Sequence, residues 1–238
     1  MNQLVEILVN VLIFAFIAGI FVLVFMLSRH GRKKNKQITE AYTQLARIAP
    51  EKGWTYTPHV YGRIDQYCGT RPMPGSGSNL GAHHYTTGEF RGRSFVFFEH
   101  RQVSGSATSQ PGDAKTVIVD SVFIVTAPGF APTVDVLLPS KLDAVLDRRA
   151  RTELGVPEFD EKFRVVTDDE EFVRNVLGDT VVPFMLTDSR APSSPLQFRK
   201  NELCTWYRGT LSSDAADEKL NFLCDALDRI PAQAWSAA

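Results

Sequence analysis

Histidine is the residue type in this chain best suited to chemistry, because a neutral imidazole binds metals and exchanges protons near neutral pH. Four histidines are candidates for one site: His59, His83, His84 and His100. Successive side chains of a strand point to opposite faces, so His83 and His84 would not easily serve the same site. No H-E-x-x-H or carboxylate–histidine pattern accompanies them, and the sequence predicts no metal site.

Glycine and serine dominate residues 75–81 (GSGSNLG), a composition that also occurs in phosphate-binding loops. The spacing differs from G-x-G-x-x-G, the Lys-Ser/Thr pair of a P-loop is missing, and no helical pattern follows. We therefore expect a flexible loop.

Acids and serines form no catalytic pattern either. The acids Asp168–Glu171 fall in the first turn of an expected helix, where the helix dipole favours negative charge. No serine lies in a G-x-S-x-G nucleophile elbow. The sequence therefore predicts no catalytic residue and no cofactor.

Three aromatic residues are candidates for binding. Trp206 and Tyr207 could line a pocket, although alternating aromatics in a strand more often fill a core. Trp235, close to the end of the sequence, is the aromatic we single out as a contact for a partner or a membrane.

The three cysteines are Cys68, Cys204 and Cys224. Their odd number and wide spacing argue against a disulfide framework. No C-x-x-C pair indicates a zinc or redox motif. Cys224 falls on the apolar face of an expected helix, where we expect a buried thiol.

An apolar run from Ile7 to Leu27, interrupted by Asn10, is the strongest signal for the protein's placement. As a helix it would be about 31 Å long, enough to cross the hydrocarbon core of a bilayer. A cleaved signal peptide is the alternative, but the leading residues include Glu6 and no Lys or Arg, and no small-residue cleavage pattern follows. The sequence therefore predicts a transmembrane anchor over residues 1–28.

Five basic residues follow the run directly: Arg29, Arg32, Lys33, Lys34 and Lys36. They would keep the chain that follows them on the cytoplasmic side of the membrane and attract anionic lipid. A specific lipid or nucleic-acid site is the alternative, although no aromatic residue is interleaved. Within the run, Ala15 and Gly19 form a small-xxx-small pair that would allow a helix–helix contact.

The charge balance argues against nucleic acid as a partner. The chain has 26 Lys and Arg against 27 Asp and Glu. Five of the basic residues and one acid, Glu6, lie in residues 1–36, so the remainder carries a net charge of about −5. Nucleic-acid binding depends on clustered positive charge, which this remainder lacks.

Hydrophobic periodicity predicts the elements of the first half. A helix is expected from Lys36 to Ala49, ended by Pro50 and Gly53. A hairpin is expected from Tyr85–Phe90 and Ser94–Arg101, joined by a glycine-containing turn. Residues 116–126 (TVIVDSVFIVT) are β-branched and apolar on both faces, which predicts a central strand. A further strand is expected over residues 133–138.

The second half continues with helices and short strands. Helices are expected from Ser140 and over residues 214–229, and a third is expected to open with the capping box Thr167-Asp168-Asp169-Glu170 and to end just before Gly178. The alternation of residues 159–166 (FDEKFRVV) predicts a strand. Residues 196–198 and 203–207 are expected to form a hairpin that turns at Lys200-Asn201.

These elements alternate only in part, and short turns join several strands, so we expect an α+β fold with a largely antiparallel sheet. The predicted organisation is a transmembrane anchor (1–28, span about 7–27), a basic juxtamembrane stretch (29–36), an amphipathic helix (37–53) and a cytoplasmic α+β domain (54–238). This α+β domain could consist of two structural subunits that meet near residue 155.

The segment Phe159–Val165, followed by Thr167-Asp168-Asp169 and Val176-Leu177, resembles an element of bacterial single-pass membrane proteins with a cytoplasmic domain of unknown function. The hairpin Gly88–Arg93 and the terminal Leu227–Pro231 are similar as well. The resemblance covers most of residues 50–231. It implies the α+β architecture and no activity or catalytic residue.

These observations favour a non-enzymatic interaction or ligand-sensing module on the cytoplasmic face of the cell membrane, with a short N-terminus outside. Two alternatives remain: a membrane-tethered enzyme acting on a lipid or envelope precursor, and an accessory subunit of a membrane complex. The expected partners are the lipid bilayer and either a membrane protein or a second copy of this chain.

Overall fold

The computed structural model describes Ile20, Phe25 and residues 36–104, 116–139 and 151–235. The chain divides into two compact units, Met1–Thr43 and Gln44–Ala238. The described residues of the first unit are helical, and its Ile20 and Phe25 side chains are exposed. In the second unit, all described strands belong to one antiparallel sheet.

The sheet has seven strands: β1 (Thr55–Tyr61), β2 (Gly81–Phe90), β3 (Arg93–Ser104), β4 (Thr116–Leu137), β5 (Arg151–Thr152), β6 (Arg164–Thr167) and β7 (Leu196–Arg208). Their order is β1-β2-β3-β4-β6-β5, and β7 also pairs with β4.

Four helices are described: α1 (residues 36–51), α2 (Pro157–Lys162), α3 (Glu170–Thr187) and α4 (Ser213–Leu227). Short 3-10 turns lie at Asp65–Tyr67, Ala191–Ser193 and Ala232–Trp235. The helix expected from Ser140 lies outside the described residues.

Strand β4 organises the sheet. Its β-branched, apolar sequence places it at the centre, where Thr116–Val125 pairs with β3 and Val134–Leu137 pairs with β6. The two strands expected at 116–126 and 133–138 are therefore one strand, which is irregular between Thr126 and Val134.

Strand β7 pairs with both halves of β4. The hairpin expected to turn at Lys200-Asn201 is therefore wrong. Lys200 has a positive φ of 51° at the irregular part of the ladder, and the strand continues beyond it. The residues that the sequence suggested were a turn instead form a local bulge in the pairing of β7 with β4.

The two faces of the sheet have separate cores. The loop-covered face carries Phe98, Val122 and Cys204, which form a buried cluster with Ile64 and Tyr67 of the irregular segment before β2. The other face is covered by helices. There Trp54 packs edge-on against Phe95, with ring centroids 5.0 Å apart, and the side chains of α4 pack against β4 and β7.

Local capping explains where the longer helices begin. Asp169, and not the predicted Thr167, is the N-cap of α3, and it accepts a hydrogen bond of 2.9 Å from the N–H of Phe172. Ser212 caps α4 in the same way through Ala215, at 3.1 Å. Gly178 interrupts α3 with a non-helical backbone, at the position where the sequence places the end of that helix.

Residues 159–166 are not one strand. Pro157 lies in the first turn of α2, because the fixed φ of proline suits the start of a helix. Only Arg164–Thr167 forms a strand. Phe159 and Phe163 are buried and lie 5.0 Å apart between ring centroids, so the apolar alternation reflects a helix end and its cap.

The fold class is α+β, but the expected transmembrane helix is wrong. No helix in the described part of the chain is long and apolar enough to cross a membrane. The longest described helix, α3, has 18 residues and contains Glu170, Glu171 and Arg174. The same finding contradicts the predicted single-pass placement in the cell membrane, with a short N-terminus outside and a cytoplasmic domain. Within the apolar run, only Ile20 and Phe25 are described.

Candidate functional site

A cleft of about 590 Å³ is lined by the last residues of β3 and β7, the first residues of β4, and residues just beyond the other ends of β4 and β7. Its polar walls come from six residues of distant parts of the chain: Arg71, Gln102, Asp120, Ser193, Tyr207 and Arg208. Its apolar walls include Met73, Ile118, Leu138, Pro195 and Trp206. Charged and apolar side chains therefore share one cavity of the size that small ligands occupy.

Strand register brings these residues together. Gln102 of β3 is opposite Ile118 of β4, and Asp120 of β4 is opposite Arg208 of β7. Since side chains two residues apart share a face, Trp206 lies on the same face as Arg208. The antiparallel ladder thus places a carboxylate, a guanidinium and an indole side by side.

The segment Arg71-Pro72-Met73 covers this end of the sheet. Met73 is buried in the core cluster, and Gln102 Nε2 donates a hydrogen bond of 3.4 Å to the Pro72 carbonyl. Asp65 fastens the end of the loop, because its carboxylate accepts from the N–H groups of Asn79 and Leu80 at 2.7 and 2.8 Å. The glycine-rich stretch thus belongs to the cover of the sheet.

Asp120 is the most unusual group of the cleft. The residue is 5% exposed, and its ion pair joins Oδ1 to Arg208 Nε at 3.7 Å. Burial raises the pKa of Asp120, while Arg208 and His100 oppose that rise. A buried carboxylate with a long contact to its guanidinium partner therefore lines the cleft.

Lys219 of α4 lies behind the cleft wall. Its ammonium donates to Ser193 Oγ at 3.2 Å, to Ser194 Oγ at 2.8 Å and to Glu218 Oε1 at 2.9 Å. These bonds use all three ammonium protons. The buried lysine therefore fastens α4 to the turn that carries Ser193.

The histidines form no common site. His59 and His83 stack with ring centroids 4.3 Å apart, whereas His84 Nδ1 lies 2.7 Å from Tyr56 Oη. Burial lowers the pKa of His83 to about 4, with help from Arg101 and His59. Across the described ranges, no three His, Cys, Asp or Glu side chains are grouped to hold a metal ion.

The basic and small residues singled out near the start of the sequence do not contribute to the cleft as described. Lys36 lies in α1, exposed, with an ion pair of 3.7 Å to Glu40. The others lie outside the described residues: Ala15, Gly19, Arg29, Arg32, Lys33 and Lys34. Their lipid, topology and helix-contact roles stay predictions.

The predictions for the cysteines and aromatics had mixed outcomes. Cys224 is buried as expected, and Cys204 is buried too. Trp206 and Tyr207 both line the cleft, as the sequence suggested. Trp235 is 9% exposed and packs against Phe172 and Phe198, so it is a core residue.

Two smaller clefts lie elsewhere. One, of about 440 Å³, is lined by Trp235, Gly129 and Leu227. The other, of about 370 Å³, lies at the break of α3 beside Gly178, Val182 and Val156. Neither contains a buried carboxylate like that of Asp120, so the first cleft is the stronger candidate.

No protein-family model matches the chain, and no curated protein matches it significantly. Among solved structures, the fold is similar to the crystal structure of the mycobacterial trehalose monomycolate transport factor A, TtfA. The TM-score is 0.55 and the sequence identity 14%, over 80% of this chain and 93% of that chain. At this identity the likeness concerns the fold alone.

Proposed function

We propose that the protein is a non-catalytic module that binds an amphipathic, lipid-like ligand in the cleft and serves lipid transport. The observation that carries the proposal is the cleft of about 590 Å³, in which charged groups and apolar side chains line one space. Such a lining suits a ligand with a polar head and an apolar tail.

The groups near the cleft favour binding over catalysis. Ser193 and Tyr207 carry the hydroxyl groups of its wall; the Tyr207 hydroxyl donates to the Thr210 carbonyl, and Lys219 is the amine that could have activated Ser193. A general base needs a free lone pair, and Lys219 instead donates three hydrogen bonds. We therefore assign the lysine a structural role.

The similar fold of TtfA supports a role in lipid transport. That protein is, by its title, a transport factor for trehalose monomycolate. A fold can host many functions, so the cleft carries the argument and the fold adds to it.

Binding of N-phenyl-1-naphthylamine, a neutral apolar fluorophore, tests the proposal. We expect saturable fluorescence enhancement with the full chain, weakened at least about tenfold by Leu138→Glu, because binding of the apolar probe would remove water from the new carboxylate at the apolar wall of the cleft. Val156→Glu is the matched control, since Val156 is 36% exposed and Leu138 37% exposed.

Two results would contradict the proposal. One is the absence of saturable binding. The other is binding that Val156→Glu weakens and Leu138→Glu leaves unchanged, which would place the probe in the cleft at the break of α3.

A further inference from the structure

We propose that the head group recognised by the cleft is neutral and rich in hydroxyl groups, as in a saccharide, and that Asp120 selects it. This inference rests on the proposed function, which concerns only the amphipathic character of the ligand. It is carried by the arrangement of Asp120, Arg208 and Trp206 in one wall.

The cleft carries charged groups of both signs, and a hydroxyl-rich head group can bond to both. Asp120 provides a buried carboxylate, while Arg71 and Arg208 provide guanidinium groups. A phosphate head would meet the carboxylate, and a quaternary ammonium head would meet the guanidinium groups. A hydroxyl group both donates and accepts, so it can bond to Asp120 and to Arg208 together.

The contact of Asp120 with its charged partner is long. Its side chain is 7% exposed, whereas the side chain of Arg208 is 75% exposed, so their ion pair of 3.7 Å is loose. A ligand hydroxyl donating to Asp120 would give the carboxylate a closer hydrogen-bond partner.

Trp206 provides the surface for the rest of a sugar ring. Its side chain is half-buried, lines the cleft and packs beside the core cluster that contains Val122 and Cys204. An indole face offers a rigid apolar platform with a low entropic cost. The C–H face of a pyranose can stack on it while the ring hydroxyls reach Asp120.

Isothermal titration of the full chain with three ten-carbon amphiphiles tests the inference: decyl maltoside, decyl phosphate and decyltrimethylammonium, each below its micelle concentration. The chain length is constant, so differences in affinity report the head group. We expect decyl maltoside to bind at least about tenfold more tightly than the two charged amphiphiles.

Two cleft variants give the residue-level test. Asp120→Asn should weaken decyl maltoside binding at least about fivefold, because a neutral acceptor is weaker than a carboxylate. Arg208→Lys, which keeps a positive charge beside the buried Asp120 but lacks the planar guanidinium donors, should weaken it as well. Asp217→Asn is the control, since Asp217 lies on α4 outside the cleft, where it pairs with Lys52.

The outcomes separate this inference from the proposed function. Equal affinity for the three amphiphiles, tighter binding of decyl phosphate, or an unchanged Asp120→Asn affinity would overturn the inference. Each would leave intact a proposed function supported by the naphthylamine titration. Absence of binding by decyl maltoside, with the naphthylamine bound, would also overturn the inference alone.

Discussion

Glu99 accepts a hydrogen bond of 2.7 Å from the backbone N–H of Leu211, a residue 112 positions further along the chain. Glu99 is completely buried, and its second oxygen accepts from Arg101 Nη2 at 2.9 Å. The carboxylate thus ties strand β3 to the connection between β7 and α4. That connection follows directly on Arg208, so Glu99 also steadies the strand end that lines the cleft.

Removing this carboxylate should destabilise the fold. Glu99→Ala removes the acceptor of the Leu211 N–H and a carboxylate partner of Arg101, and we expect a loss of about 3 kcal/mol in the free energy of unfolding. Urea denaturation measures it. Glu89→Ala, at an exposed position of β2, should change stability by less than about 0.5 kcal/mol. Similar values for the two variants would refute the structural role of Glu99.

Protonation of His83 should weaken the fold in mild acid. Burial and the neighbouring Arg101 and His59 lower the pKa of His83 from 6.5 to about 4. Between these values the unfolded chain binds a proton that the folded protein does not, so the free energy of unfolding falls as the pH falls from about 6.5 to about 4. Urea denaturation across this range should show a shallower pH dependence for His83→Gln. An identical slope would refute the assignment.

Asp120 should have the opposite pH effect. Burial raises its pKa above 3.8, so the folded state holds the proton more tightly than the unfolded chain. Stability contributed by this group is therefore lost as the pH rises from 3.8 through the raised pKa. We predict that Asp120→Asn is more stable than the wild type at neutral pH, and that the difference shrinks in acid.

Thermal unfolding of the two proteins at neutral and acidic pH measures this difference. A less stable Asp120→Asn at neutral pH would mean that the carboxylate stabilises the fold. A functional residue that costs stability is expected where binding requires an unsatisfied group.

Gly88 lies in a close contact that excludes a side chain. A Cβ atom there would lie 2.7 Å from Trp54 Cδ1 and 3.1 Å from Phe95 Cε1. We expect Gly88→Ala to cost about 1–3 kcal/mol through overpacking. Gly75→Ala is the matched control, because nothing lies within 4 Å of its Cβ position. Equal denaturation midpoints for the two variants would contradict this packing.

Local signals predicted the elements that local physics decides. The turn at Arg91-Gly92, the apolar strand 116–126 and the amphipathic helix α4 all have strong periodicity or turn residues, and all are present. The hairpin at Lys200 was wrong because polar residues mark both turns and bulges, and only pairing with β4 distinguishes them.

The apolar run Ile7–Leu27 illustrates a different limit. Its length and composition predicted a membrane-spanning helix, but no helix among the described residues meets that requirement. Within the run, only Ile20 and Phe25 are described.

The cleft could be predicted only in part. Trp206 was recognised as a pocket candidate, but Arg71, Gln102 and Arg208 are brought to it by strand register that a single sequence does not specify. One signal was available for Asp120. It is the only charged residue within the apolar strand TVIVDSVFIVT, and a buried charge in a central strand indicates a special role.

The most direct test of the cleft is ¹⁹F NMR of the full chain labelled with 5-fluorotryptophan and titrated with decyl maltoside. The chain has three tryptophans, Trp54, Trp206 and Trp235, and each resonance is assigned by a Trp→Phe variant. We predict a saturable shift of the Trp206 resonance, with those of Trp54 and Trp235 unchanged. A shift confined to Trp235, or no shift at saturating ligand, would contradict a binding site between Asp120, Arg208 and Trp206.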